Sequence, residues 1–118
     1  MQDYEDYKEE DTIAALATAV GGGIAIVRIS GSKALEIANN IWKSNGTKVL
    51  APENKRFMHL GHINDPETKQ QGDQAMAVYF QGPNSYTGED VVELQCHGGA
   101  FTARHTLQSA IKAGARTA

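Results

Sequence analysis

The chain has 118 residues, 41% of them hydrophobic and 7% aromatic, and a formal net charge of −3. That length suits one domain able to bury its own core, and it excludes several domains within these residues. Six of the 14 acids and one of the 11 bases fall within residues 1–11, so that segment carries −5 and the remainder +2. Residues 1–11 therefore read as an acidic, disordered tail ahead of a nearly neutral body at 12–118, which excludes the basic stripe of an autonomous nucleic-acid binder.

A single cysteine, Cys96, excludes an internal disulfide framework and a cysteine-rich zinc site. No basic segment followed by an apolar leader opens the chain, and no run of ~18 apolar residues occurs. The expectation is a cytoplasmic protein with no membrane span.

In chain order, residues 12–18 form a short apolar run suited to a strand buried on both faces. Residues 19–23, A-V-G-G-G, then turn the chain. They lack the G-x-x-x-x-G-K-[ST] pattern of a phosphate loop and lie between two strands, so a hairpin turn is expected. Residues 24–29 are the second strand. Ile24, Ile26 and Arg28 share one face, and Ala25, Val27 and Ile29 the other, so the Arg28 guanidinium must pair or reach water.

Ser30-Gly31-Ser32 offers N-cap oxygens, and Ala34, Ile37, Ala38 and Ile41 follow the i, i+3, i+4, i+7 rule. That predicts an amphipathic helix ending at Ser44-Asn45-Gly46, with Trp42 packed beside its stripe. A polar connector with Pro52 fills residues 47–56. Residues 57–63 and 75–80 read as paired strands around a turn-rich segment at 64–73. His59 and His62, three apart on the first of them, point to opposite faces and cannot jointly hold a metal.

Residues 83–99 read P-N-S-Y-T-G-E-D-V-V-E-L-Q-C-H-G-G. Pro83, Asn84, Ser85 and Gly88 are turn chemistry. From 91 to 97 the alternation places Val92, Leu94 and Cys96 on an apolar face and Glu93, Gln95 and His97 on the other. Glu93 is thus a carboxylate in mid-strand, on a face that must be wet or occupied. Residues 101–113 then carry Ala103, Leu107, Ala110 and Ile111 in helical register, closed by Gly114. Residues 115–118 look like the start of another strand.

Glu93, Arg28 and His97 are the polar groups left on faces that could be shared. A carboxylate fixed on a strand can accept two parallel N–H bonds from a flat heterocycle, and an arginine can hold a carbonyl or carboxylate through its fork. The same two residues could equally form a ligand-free ion pair. Neighbours in a strand face opposite ways, so Cys96 and His97 do not make a nucleophile and base, and a buried Cys96 is expected.

The stretch from Asn84 to Gly99 closely resembles the N-S-[YF]-T-G-E-D-x-x-E-x-x-x-H-G-G signature of the tRNA-modification GTPase family MnmE (TrmE), in its N-terminal domain. D-T-I-A-A-L-A-T at Asp11 to Thr18 and G-G-I-A-I-V-R-I-S-G at Gly22 to Gly31 resemble the family's opening strands. The family usually has a slightly longer Pro/Gly loop between those strands than is found here.

The resemblance implies an α+β domain, a mainly antiparallel sheet with two amphipathic helices, similar to the tetrahydrofolate-binding domain of glycine-cleavage aminomethyltransferases. It implies a homodimer that binds a tetrahydrofolate derivative, 5-formyl- or 5,10-methylene-tetrahydrofolate, and by position it assigns the folate contacts to Arg28 and Glu93. A further folate-contacting lysine of the family falls beyond Ala118, as do the helical domain, the G domain that takes GTP, Mg²⁺ and K⁺, and the C-terminal cysteine motif.

For the whole family protein, the resemblance implies addition of an aminomethyl or carboxymethylaminomethyl group at C5 of the wobble uridine of tRNA, together with an FAD-dependent partner. It assigns no role to Asn84 or His97. Two other readings stay open: a dimerisation scaffold that does not bind folate, and a self-contained one-carbon transferase.

Overall fold

A computed structural model describes residues 11–18, 22–46, 49–83, 85 and 88–117. The expectations for the tail at 1–10 and for parts of the turns at 19–23 and 83–88, Asn84 among them, lie outside the described residues.

In order, the elements are β1 (Ile13–Leu16), β2 (Ile24–Ser30), α1 (Ala34–Ile41), β3 (Trp42–Ser44), a 3₁₀ turn (Pro52–Asn54), β4 (His59–Asn64), β5 (Gln71–Phe80), β6 (Val91–His97), α2 (Ala100–Lys112) and β7 (Arg116–Thr117). The seven strands form one sheet in the order β3-β4-β5-β6-β2-β1-β7. Every pairing is antiparallel except β1 with β7. This is the α+β, mainly antiparallel architecture with two helices that the family resemblance implies.

Both helices lie on one face of the sheet, α1 against β2, β4 and β6 and α2 against β1, β2 and β6. The strand alternation explains the core. Ala25, Val27 and Ile29 of β2, Val92, Leu94 and Cys96 of β6, and Ala75, Ala77 and Tyr79 of β5 are buried beneath the helices. Helix α1 adds Ala34, Ile37, Ala38 and Ile41. Small residues on the sheet, among them Ala14, Ala25, Ala75 and Ala77, let the helices approach closely.

Five expectations are corrected. Strand β1 is not buried on both faces: Ala14 is buried while Ile13, Ala15 and Leu16 are half-buried, because helices cover one face only. Helix α1 has no side-chain cap from Ser30 or Ser32. Its N-cap residue is Lys33, and the Lys33 N–H donates to Thr12 Oγ1 at 3.0 Å, so the neighbouring strand satisfies a donor that a cap would have taken. Gly31 permits this closeness with φ +139°, where a Cβ would stand 2.7 Å from Asp11 O and Thr12.

The helix also stops three residues early. Trp42 turns extended (φ −128°, ψ 134°), begins β3 opposite Ile63, and donates its indole N–H to Ala75 O at 3.0 Å. Anchoring that buried N–H outweighs continuing the helix.

The β4–β5 hairpin forms as predicted but with a tighter turn. Asp65 Oδ1 accepts the N–H groups of Glu67 (2.8 Å) and Thr68 (3.1 Å), and β5 already begins at Gln71. Those backbone donors hold the Asp65 carboxyl below its usual range.

In α2 the predicted stripe is rotated. Ile111 is 36% exposed, while Thr106 and Ser109 take buried positions beside Ala103 and Ala110. Thr106 can be buried because its hydroxyl donates to Thr102 O at 2.9 Å.

Gly114, at φ +122°, ends α2, and the chain returns to pair β7 with β1. Arg116 N–H donates to Thr12 O at 2.8 Å, and its guanidinium pairs with Asp11 at 2.6 Å.

Candidate functional site

The face of the sheet away from the helices carries the alternate residues: Ile24, Ile26 and Arg28 on β2, Glu93, Gln95 and His97 on β6, Gln74 and Met76 on β5, and Leu60 on β4. Strand order makes β2 and β6 immediate neighbours, and their register sets Arg28 directly opposite Glu93, Ile26 opposite Gln95 and Ile24 opposite His97. The two residues assigned by position in the sequence are therefore brought together. His97 lies on the same face, two rungs away.

Arg28 Nε and Nη2 both donate to Glu93 Oε2, at 3.0 and 2.8 Å. Their side chains are 32% and 17% exposed, so the pair is shielded by the sheet yet open to solvent on one side. Both contacts converge on one carboxylate oxygen, and Glu93 Oε1 accepts no hydrogen bond among the described residues. A ligand N–H can reach that oxygen without breaking the pair. That leaves one carboxylate acceptor beside a guanidinium, a combination that can meet an N–H group of a flat heterocycle.

One end of this site is acidic. There Ser30 Oγ donates to Glu89 Oε2 at 3.1 Å; Asp90, whose Oδ1 accepts the Gly82 N–H at 2.8 Å, turns to the covered side. Asp90 also lies beside the Tyr79 phenol, whose pKa is pushed up first by burial and then by the Asp90 charge and hydrogen bond. The other end opens into a shallow groove of about 240 Å³ bordered by Gly23, Ile24, Leu60, Gln74, Met76, Gln95 and His97. Gln74, Met76 and Leu60 were not read as site residues. Their period-two pattern was visible, but only the pairing of β5 with β6 and β4 places them beside Gln95.

Cys96 faces the covered side, 4% exposed, with its thiol directed at Ala25 O (3.6 Å). Burial pushes the thiol pKa up, the opposite of what a nucleophile needs. His59 pairs with Ala77 and His62 with Gln74 across the β4–β5 hairpin, on opposite faces. Among the described residues no group of three or more His, Cys, Asp or Glu side chains could hold a metal ion, and no helix is long and apolar enough to cross a membrane.

Comparison with known proteins supplies the family. Residues 12–118 match the family model described as "GTP-binding protein TrmE N-terminus". The chain is 48% identical over 110 residues to the tRNA modification GTPase MnmE of Alkaliphilus oremlandii, covering 92% of the chain and 24% of that protein. It is 46% identical over 111 residues to the protein of the same name from Lysinibacillus sphaericus, covering 93% and 24%. With that of Nitratiruptor sp. it is 50% identical over 114 residues, covering 96% and 24%. The chain thus spans about a quarter of the length of these relatives. By its family-model match and these identities, the chain belongs to the tRNA-modification GTPase family MnmE (TrmE), as its N-terminal region.

Proposed function

We propose that residues 12–118 form the tetrahydrofolate-binding and homodimerisation domain of a tRNA-modification GTPase. The observation that carries the folate reading is the Arg28–Glu93 pair, held in register on the uncovered sheet face with Glu93 Oε1 left over for a ligand N–H. Glu93 would accept the amino and ring N–H edge of a 5-formyl- or 5,10-methylene-tetrahydrofolate, one N–H on Oε1 and the other on Oε2 in place of an Arg28 bond, and Arg28 would turn to the ring carbonyl or a carboxylate. The bound folate would supply the one-carbon unit. These residues would orient it.

In the whole protein, GTP, Mg²⁺ and K⁺ would bind outside this domain. Together with an FAD-dependent partner, that protein would add a carboxymethylaminomethyl or aminomethyl group at C5 of the wobble uridine of tRNA in the cytoplasm. The domain alone would catalyse nothing. A second reading, a dimerisation scaffold that does not bind folate, draws on the Arg28–Glu93 ion pair, which forms without a ligand.

Calorimetric titration of 5-formyl-tetrahydrofolate into the parent chain and into Glu93→Ala separates the two. Saturable binding to the parent, lost in a Glu93→Ala chain with unchanged circular dichroism, is the expected result. Equal binding by both would remove Glu93 from the site. No binding by either would leave the scaffold, whose dimer sedimentation would detect.

A further inference from the structure

We propose that Asn45-Gly46, in the bend that follows β3, is a modification site at which the Asn45 carboxamide deamidates without an enzyme, giving aspartate and isoaspartate. It is the only Asn-Gly pair in the chain.

The chemistry needs a free backbone nitrogen next to a free carboxamide. The Gly46 amide nitrogen loses its proton to hydroxide and bonds to Asn45 Cγ, and the side-chain nitrogen leaves as ammonia with a proton from water. Water then opens the resulting cyclic imide. Opening at Cγ gives aspartate, while opening at the backbone carbonyl carries the chain through Cγ as isoaspartate. The net exchange is ammonia for water.

The fold leaves both partners free. Gly46 is exposed, has no Cβ to crowd the imide, and makes no N–H hydrogen bond among the described residues. Asn45 is exposed too, and among the described residues its carboxamide makes no hydrogen bond. Only its backbone N–H is held, by Leu60 O at 3.2 Å.

Other asparagines are restrained. Asn39 donates to Leu50 O at 2.9 Å and accepts from Leu50 N–H at 3.0 Å. Asn54 donates to Val49 O at 2.9 Å and accepts from Ala51 N–H at 3.0 Å. Asn40 lies within α1, ahead of β-branched Ile41, and Asn64 lies in β4 with a buried Oδ1. The products place a carboxylate at the end of the edge strand β3, and isoaspartate adds a methylene to the backbone beyond its anchor on Leu60.

The test incubates the folded chain in mildly alkaline buffer and maps its peptides by mass, with isoaspartate counted by methyl transfer from S-adenosylmethionine by an isoaspartyl methyltransferase. Asn45 is expected to convert at least about ten-fold faster than Asn39 or Asn54. Gly46→Ala should slow it about ten-fold, and its added Cβ meets nothing within 4 Å, so circular dichroism should not change. In urea, Asn39 and Asn54 should speed up while Asn45 stays within about ten-fold of its folded rate.

Conversion of Asn45 no faster than that of Asn54, or no slower in a folded Gly46→Ala chain, would overturn the proposal. So would a rate at Asn45 that rises with unfolding as steeply as those at Asn39 and Asn54, because the fold would then protect the pair rather than present it.

Discussion

The two faces of this sheet are built from the same seven strands and obey different rules. Beneath the helices, Ala25, Val27, Ile29, Val92, Leu94 and Ala77 are sealed from water, and the buried Thr106 hydroxyl there donates to Thr102 O. On the uncovered face the same strands present Arg28, Glu93, Gln95, His97 and Gln74. Stability resides on the first face. The second can keep a charged pair, spare acceptors and exposed Ile24 because little of the fold depends on it.

That contrast can be broken by mutation. Leu94→Ala, on the covered face, should cost about 2–5 kcal/mol, read as a lower urea midpoint at unchanged slope. A loss below about 1 kcal/mol would mean that the covered face is loosely packed after all.

The next largest effect should come from alkali. The thiol of Cys96 and the phenol of Tyr79, both on the covered face, have pKa values raised above their ordinary 9.0 and 10.0. Over that window the unfolded chain releases protons that the folded chain retains. Their contribution is therefore complete below about pH 9 and falls as pH rises through the raised values. Urea melts at about pH 8 and about pH 11 should show the loss, and Tyr79→Phe should reduce it.

Glu93→Ala, on the uncovered face, should have the smallest effect on stability, within about 1 kcal/mol, since both partners reach solvent. The same substitution should abolish folate binding, so a variant that unfolds would place the pair among the structural groups.

How much of this was legible in the sequence follows the same division. Alternation along 24–30 and 91–97 is strict enough to place every side chain on its face, and both strands appear where the pattern puts them. Elsewhere tertiary contacts overrode local rules. Trp42 looks like the continuation of a helical stripe, and only the distant Ala75 carbonyl explains why it turns extended. Thr12, far from α1 in sequence, takes the Lys33 N–H that the serines nearby were expected to hold.

The site was half legible. The motif and the alternation single out Arg28 and Glu93, but no local rule says that 65 positions of separation close into one rung of a ladder. The groove walls were harder still, since Leu60, Met76 and Ile24 belong to three strands whose order is a property of the whole sheet.

The parallel pairing of β7 with β1 has a consequence for topology. Thr12 and Arg116 touch through a backbone hydrogen bond, so β1 and β7 are already side by side. A short peptide joining residue 117 to residue 12 would bridge a gap that the fold has closed, and new termini could be cut in the polar turn at residues 65–70. The order in which the strands are connected is thus separable from the surface they form together. A circularly permuted chain should carry the same Arg28–Glu93 rung.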